Sequence, residues 1–277
     1  MHCQYCVLQA YFEDQSQVVF DNREDLAAEV AAVMSRYDDS AVVRIGTGEF
    51  ADSLYLEERF GLACLVAGLF DQYPNTLVEF KTKWAQVKSL KAITNPHKIV
   101  IGFSMNTPVM IERFERGTSS IPQRLAAAAQ CEAMGFAVAF HFDPMFRYPG
   151  WEEQYRQVAR MICDTIKDHR RIAWWSMGGF RSVTGLKKKL AREAGHLPLF
   201  NGEMVVGNDH KLRYFRPLRA QMYRAVLDEC KKIGADVPLY LCMESPEVWE
   251  ESGMLDRIPG GMVQYLDDRA RAILHRE

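Results

Sequence analysis

The chain of 277 residues is 48% hydrophobic and 25% charged, with a formal net charge of −2 at pH 7. These values are ordinary for a globular protein with a substantial core, and the weak net charge neither indicates nor excludes a nucleic-acid partner. No apolar run approaches the ~20 residues of a membrane-spanning helix, and the N-terminus lacks the basic and apolar regions of a secretory signal.

Short β-branched or aromatic runs alternate with stretches of helical periodicity along the chain. The predicted strands are AVVRI (41–45), TLVEF (76–80), KIVIGFSMN (98–106), FAVAFHF (136–142), RIAWWSM (171–177) and PLYLCM (238–243). The predicted helices are DLAAEVAAVMSRY (25–37), RLAAAAQCEAMG (124–135), EEQYRQVARMICDTIK (152–167) and LRAQMYRAVLDECKKIG (218–234). Such alternation predicts a parallel sheet covered on both faces, in a barrel or an open part-barrel of the α/β class.

Polar residues follow the carboxyl ends of the predicted strands, where barrel enzymes carry their chemistry. They are Gly46, Thr47, Gly48, Glu49, Lys81, Lys83, Ser104, Asn106, His141, Asp143, Ser176 and Glu244. A polar strand end is enough to explain any one of them. Taken together they predict a site at one mouth of the barrel.

Two cysteines open the chain in the motif C-x-x-C, as Cys3 and Cys6. A thioredoxin-like redox pair would follow a strand, and no strand is predicted before it. A zinc site would need a second Cys or His pair, and the sequence shows none. An iron–sulfur site with one ligand still to be found is the remaining option. The odd total of seven cysteines is not typical of a disulfide framework, so we expect a reducing, cytoplasmic setting.

Several blocks of sequence resemble the spore photoproduct lyase family, in the same order along nearly the whole chain. They are CQYCVLQ, IGTGEFADSL, FKTK, IGFSMN, ERFERGTSSIPQRLAAA, FHFDP followed by GWEEQYR, KLRYFRPLRAQMYR and YLCMESPEVW. The resemblance implies a radical S-adenosylmethionine enzyme with a partial (βα) TIM-type barrel, in one domain over residues 1–277. It also implies a [4Fe–4S] cluster held by C-x-x-x-C-x-x-C.

The resemblance makes Cys3 and Cys6 the second and third cluster ligands. The first ligand would lie two positions before Met1. We therefore expect an N-terminally truncated chain whose first barrel strand is missing. His2 is a weaker candidate for the absent ligand. In the family the reduced cluster cleaves S-adenosylmethionine to a 5′-deoxyadenosyl radical, which takes hydrogen from a thymine lesion in DNA.

The resemblance also assigns cofactor contacts at the strand ends. Gly48 and Glu49 match the place where the family meets the methionine amino group of S-adenosylmethionine, and a carboxylate has the right charge for an ammonium. Lys83 and Ser104 match two further cofactor contacts, and both side chains are reasonable hydrogen-bonding partners.

A basic stretch, HKLRYFRPLRAQMYR, contains no acidic residue and suggests nucleic-acid contact. Its cations are Lys211, Arg213, Arg216, Arg219 and Arg224. The residues alone also allow an amphipathic helix with solvated arginines and a core Tyr–Phe pair. The resemblance places Lys211, Arg213 and Tyr214 at the lesion pocket, within a substrate-contacting extension over residues 200–277.

The chain departs from the family where hydrogen is returned to the substrate. The resemblance implies a donor cysteine at the position of Gly46 and a second tyrosine at that of Val7. Tyr5 fills the first tyrosine position and is the predicted catalytic residue. Cys242 would substitute for the cysteine only if it faced the mouth, and we expect it to pack instead.

Three functions follow from these observations. The first is a radical lyase acting on a thymine lesion or modified base in DNA, with a flavodoxin or ferredoxin as electron donor. The second uses the same cofactor on another substrate, and the third is a non-catalytic nucleic-acid-binding relic that has lost its cluster.

Overall fold

The computed structural model describes residues 1–12, 16–38, 40–48, 51–193, 198–200, 202–207 and 209–275. The strands are β1 (His2–Cys3), β2 (Val43–Thr47), β3 (Thr76–Thr82), β4 (Ile99–Ser104), β5 (Glu115–Arg116), β6 (Ala137–Met145), β7 (Ile172–Gly179), β8 (Arg181–Ser182), β9 (Met204–Val206), β10 (Leu212–Tyr214) and β11 (Leu239–Leu241). The helices are α1 (Leu8–Tyr11), α2 (Arg23–Met34), α3 (Glu57–Phe60), α4 (Leu62–Leu69), α5 (Pro108–Phe114), α6 (Ile121–Ala133), α7 (Trp151–Thr165), α8 (Thr184–Glu193), α9 (Arg216–Lys232), α10 (Pro246–Glu251) and α11 (Gly261–Leu274).

The main sheet has six parallel strands in the order β11-β7-β6-β4-β3-β2, and it curls into a half-barrel. Each predicted strand forms one of them, and each predicted helix is present within a few residues of its expected limits. The α/β part-barrel is therefore confirmed. Residues 200–277 supply β11 to this sheet and place α9 against α7.

The two faces of the sheet bury different residues. The outer face carries large side chains, among them Phe80, Phe103, Phe140 and Trp175, which pack with residues of α4, α6, α7 and α9. Apart from Trp174, the inner face carries smaller side chains, and it is covered at one end by Leu266, Ala270 and Ile273 of α11. Strands covered on both faces read as continuous apolar runs, which is why the sequence identified them.

A hydrogen-bonded network crosses the inner face at Gly102. His141 on β6 and Glu79 on β3 meet over β4, with 2.7 Å between Nε2 and Oε1. A Cβ at Gly102 would lie 2.7 Å from each of these atoms, so that only glycine leaves room for the pair. Ser176 Oγ lies 2.7 Å from the other ring nitrogen, Nδ1 of His141, and the Trp174 indole donates to Glu79 at 2.9 Å.

Two small antiparallel sheets flank the half-barrel. The first pairs β1 with β5, and the second has the order β8-β10-β9. Among the described residues, no helix is long and apolar enough to cross a membrane.

Candidate active site

The two N-terminal cysteines lie on one tight turn at the edge of the molecule. The Cys6 amide donates to the Cys3 carbonyl at 3.1 Å, and both side chains are half-buried free thiols. Burial raises the pKa of Cys3 to about 11, and Glu115 adds to this while Lys83 opposes it. Lys83 is connected to this region through its carbonyl, which accepts from the Ser119 amide at 3.0 Å. Its role as a cofactor contact stays a prediction.

Tyr5 is buried between these cysteines, and its hydroxyl donates a hydrogen bond to Oε1 of Glu115. Its ring packs against Phe146 with the ring centroids 5.1 Å apart. Burial and the adjacent carboxylate hold the pKa of Tyr5 well above its usual value, so the phenol keeps its proton. Its predicted catalytic role stays a prediction.

A buried ion pair stands behind the cysteine turn. Arg124 Nη2 lies 2.6 Å from Oε2 of Glu115 and also donates to the Thr118 hydroxyl at 2.9 Å. Burial alone would raise the pKa of Glu115, but Arg124, Lys83 and the Tyr5 hydroxyl outweigh it and hold this pKa below its usual range. The carboxylate is therefore ionised at neutral pH.

The loop after β2 is fastened to the end of β3. Asp52 accepts hydrogen bonds from the Lys83 amide at 2.6 Å and from the Thr82 hydroxyl at 2.7 Å. Gly48 has a φ of +83°, and a Cβ there would lie 2.9 Å from the Lys81 carbonyl oxygen, so the turn requires glycine. The structure thus brings Gly48 next to the strand end that carries Lys83. Glu49 lies outside the described residues.

Open space lies in front of the inner face at the carboxyl ends of the strands. A Cβ built on Gly46 would meet no heavy atom within 4 Å. Ser104 ends β4, and its carbonyl is held by Arg124 Nη1 at 2.7 Å. Lys83 and Ser104 thus stand at the ends of neighbouring strands, β3 and β4, on the sheet that carries this open position. Their role in binding S-adenosylmethionine stays a prediction.

The iron donors are fewer than the resemblance implies. Cys3 and Cys6 would supply two sulfur ligands from one turn, which fits two corners of a cluster. Among the described residues there is no group of three or more His, Cys, Asp or Glu that could hold a metal ion. The described donor set therefore falls one ligand short of the three that the resemblance implies.

The predicted substrate residues lie on β10 and the loop before it. Lys211 and Arg213 are partly exposed, and the Arg213 guanidinium pairs with Asp209 at 2.5 Å. Tyr214 is 1% exposed, and its hydroxyl accepts from the Arg147 amide at 3.1 Å. Phe215, which is 49% exposed, is the aromatic side chain of this stretch that reaches solvent. A role in lesion contact stays a prediction for all of them.

Acidic partners from other parts of the chain pair with the basic stretch. Arg219 Nε lies 3.0 Å from Glu244 Oε1, and Arg216 Nε lies 3.0 Å from Glu251. Arg224 donates to the Glu251 carbonyl. The lack of acids in the local sequence therefore overstates the free positive charge of this surface.

Cys242 lies just beyond β11, half-buried at the carboxyl end of the sheet. Burial raises the pKa of its thiol to about 12, and a hydrogen bond with Asp143 adds to the effect. Arg181 stands beside the same carboxylate at 3.4 Å. The sulfur therefore has the charged groups of Asp143 and Arg181 as neighbours, and the expectation that it packs in the core stays a prediction.

A family model described as spore photoproduct lyase matches residues 1–175. The chain belongs to the spore photoproduct lyase family. The spore photoproduct lyase of Clostridium acetobutylicum (strain ATCC 824) is 25% identical over 167 residues, which cover 60% of this chain and 49% of that protein. That of Bacillus subtilis (strain 168) is 27% identical over 167 residues, covering 57% and 46%. This family member thus spans about half the length of the curated relatives it matches.

Solved structures agree on the fold of this spore photoproduct lyase family member. A spore photoproduct lyase complexed with dinucleoside spore photoproduct superposes with a TM-score of 0.78 at 20% identity, covering 87% of this chain and 73% of that one. Streptococcus suis SuiB bound to S-adenosylmethionine superposes with a TM-score of 0.55 at 13% identity, covering 94% and 52%. Both likenesses support the half-barrel.

Sequence reasoning missed the residues that hold the site together. The block ERFERGTSSIPQRLAAA carries the resemblance, but nothing in its pattern distinguishes Glu115 and Arg124 from the exposed charged residues around them. Asp52 in the block IGTGEFADSL is likewise unmarked. Charged residues are buried only when they are paired, and the sequence does not show this pairing.

Proposed function

We propose that this chain is a radical S-adenosylmethionine enzyme that acts on a thymine photoproduct in DNA, as a lyase. The observation that carries the proposal is that hydrogen bonds through Glu115, Arg124 and Ser119 connect the cysteine turn with Lys83 and Ser104 at the carboxyl edge of a half-barrel. Membership in the spore photoproduct lyase family supports it. So does a solved spore photoproduct lyase double mutant with bound AdoMet and dinucleoside spore photoproduct.

The residues of this chain would divide the work as follows. Cys3 and Cys6 would hold iron, and Gly48, Glu49, Lys83 and Ser104 would bind S-adenosylmethionine. The bound cofactors would supply the radical chemistry, while the protein positions the reacting groups and excludes water. Lys211, Arg213 and Tyr214 would contact the lesion from β10 and its preceding loop.

Anaerobic reconstitution with iron and sulfide tests the cofactor half of this function. After reduction with dithionite, low-temperature EPR should show a [4Fe–4S]⁺ signal that changes when S-adenosylmethionine is added. A flavodoxin or ferredoxin should replace dithionite as electron donor. Absence of any cluster in the reconstituted chain would contradict the enzymatic function and favour the nucleic-acid-binding relic.

Turnover tests the substrate half. Dinucleoside spore photoproduct should be converted to thymidine monomers, as followed by liquid chromatography with mass spectrometry. Gly46 and Val7 favour the second candidate, the same cofactor chemistry on another substrate, because neither side chain can donate hydrogen. Cleavage of S-adenosylmethionine without repair of the dinucleoside would decide for that candidate.

A further inference from the structure

A buried ion pair connects the cysteine turn to the half-barrel. The side chains of Arg124 and Glu115 are 0% and 1% exposed. A guanidinium at this depth must find its partners inside the protein, since an unpaired buried charge is costly. The groups that these two side chains contact therefore show which parts of the molecule the pair joins.

On one side the pair holds the cysteine turn. Glu115 stands opposite Cys3 in the β1–β5 pairing, and the Gln4 amide donates to the Phe114 carbonyl at 2.8 Å. The Tyr5 hydroxyl adds the side-chain hydrogen bond to Glu115. The two cysteines thus flank the residue whose side chain is tied to the ion pair.

On the other side the pair holds the proposed cofactor residues. Arg124 donates to the Ser104 carbonyl at 2.7 Å and, through Nε, to the Ser119 carbonyl at 2.9 Å. The Ser119 amide in turn donates to the Lys83 carbonyl at 3.0 Å. One guanidinium therefore contacts Ser104 directly and reaches Lys83 through Ser119, so it joins the ends of two strands, β4 and β3, that carry predicted cofactor contacts.

We propose that Tyr5, Glu115 and Arg124, named here the N-terminal clamp, position the iron-binding thiols of Cys3 and Cys6 relative to the cofactor site. The inference rests on the proposed function for the identity of the metal and the cofactor. Tyr5 is then a positioning residue, because its hydroxyl donates to Glu115. It affects the metal site only through the position of the cysteines on either side. Residues that contact the metal ligands, and not the metal itself, orient those ligands and strongly affect metal affinity.

Alkylation of the metal-free full-length chain tests the clamp without any cofactor. Iodoacetamide labelling at pH 8, followed by mass spectrometry of peptides, gives a separate rate for each cysteine. Cys163 on α7 is an internal reference, because it is a half-buried free thiol like Cys3. Tyr5→Phe should raise the labelling rate of Cys3 about tenfold and leave the rate of Cys163 unchanged. The hydrogen bond stabilises the closed state of this segment, and its loss shifts the local opening equilibrium toward the open state by about that factor.

Tyr223→Phe is a matched control. Tyr223 is also fully buried and donates to a glutamate, Glu244 at 2.5 Å, which pairs with Arg219. This variant should leave the Cys3 rate unchanged, because among the described residues no hydrogen bond or ring contact joins Tyr223 to the segment that carries Cys3. An unaltered Cys3 rate in Tyr5→Phe would overturn the proposal, and so would equal acceleration of both cysteines.

Hydrogen exchange on the wild-type chain provides a measurement that needs no variant. If the clamp opens as a unit, the amides of Gln4 and Ser119 should exchange with the same opening free energy in low denaturant. Clearly different opening free energies for the two amides would overturn the proposal. Failure to bind iron or S-adenosylmethionine would contradict the proposed function and leave both results standing.

Discussion

The molecule holds two buried groups of the same composition, in which a tyrosine hydroxyl donates to a glutamate that pairs with an arginine. They are the N-terminal clamp, Tyr5–Glu115–Arg124, and its counterpart, Tyr223–Glu244–Arg219, named here the C-terminal clamp. The first ties a short peripheral turn to the barrel. The second joins α9 to the end of β11, and its tyrosine also accepts from the Gly179 amide at 2.6 Å.

The difference between the clamps lies in what each one fastens. The C-terminal clamp connects elements that already share the main core, and Arg219 also donates to the Tyr214 carbonyl on β10. The N-terminal clamp holds a short segment, the two-residue strand β1 and the turn that follows it, from which Tyr5 reaches the main core. Identical chemistry should therefore stabilise the whole fold in one place and a single local segment in the other.

Removing either arginine should give the largest effect. Arg124→Met leaves Glu115 as an uncompensated buried charge, and Arg219→Met does the same to Glu244. Each variant should lower the free energy of unfolding by about 3–5 kcal/mol, measured by urea denaturation. A loss below about 1 kcal/mol in either variant would show that its carboxylate finds another partner.

Removing the tyrosine hydroxyls should separate the two clamps. Tyr223→Phe deprives both Glu244 and the Gly179 amide of a partner and should cost about 2–3 kcal/mol. Tyr5→Phe removes one hydrogen bond and should cost about 1 kcal/mol. Thermal and urea unfolding of the two variants measure this order, and the reverse order would contradict the comparison.

Acid should weaken the N-terminal clamp specifically. The folded-state pKa of Glu115 lies below its unfolded value, so the ionised carboxylate stabilises the fold above about pH 4.3. That stabilisation is lost as the pH falls through the folded pKa. Glu115→Gln should therefore flatten the dependence of unfolding free energy on pH below this value, by at most about 1.4 kcal/mol per pH unit. Parallel wild-type and variant curves would count against an ionised Glu115.

The smallest expected effect is on the affinity for DNA. It concerns Arg213 on β10, the strand that Arg219 of the C-terminal clamp contacts. If Arg213 neutralises one phosphate, Arg213→Ala should weaken duplex binding and reduce the slope of log K against log salt by about one. Fluorescence anisotropy at several salt concentrations measures the slope. An unchanged slope would mean that Asp209 already satisfies this guanidinium.

The sequence was sufficient to predict the half-barrel, because its strands are continuous apolar runs and its helices are periodic. The run KIVIGFSMN, for example, contains all of β4. The turn at Gly48 was not predicted, and its φ of +83°, which other residues avoid, is seen only in the structure.

The two clamps could not be predicted, because no local sequence pattern indicates which residues form them. Tyr5 and Glu115 are 110 positions apart, and Arg219 and Glu244 are 25 apart. The same reason explains the overstated basic surface, since Glu244 and Glu251 reach the arginines only after the chain has folded. Charge pairing between distant residues depends on tertiary structure, whereas periodicity is a property of neighbouring positions.

Gly102 has a mechanical consequence for the shape of the sheet. The bond between His141 and Glu79 joins two strands that are not neighbours and draws them together on the inner side of β4. On the outer side of the same three strands, Phe80, Phe103 and Phe140 fill the space. A sheet that is short on one face and thick on the other must bend toward the short face. The missing side chain of a single glycine thus helps to set the curvature of the half-barrel.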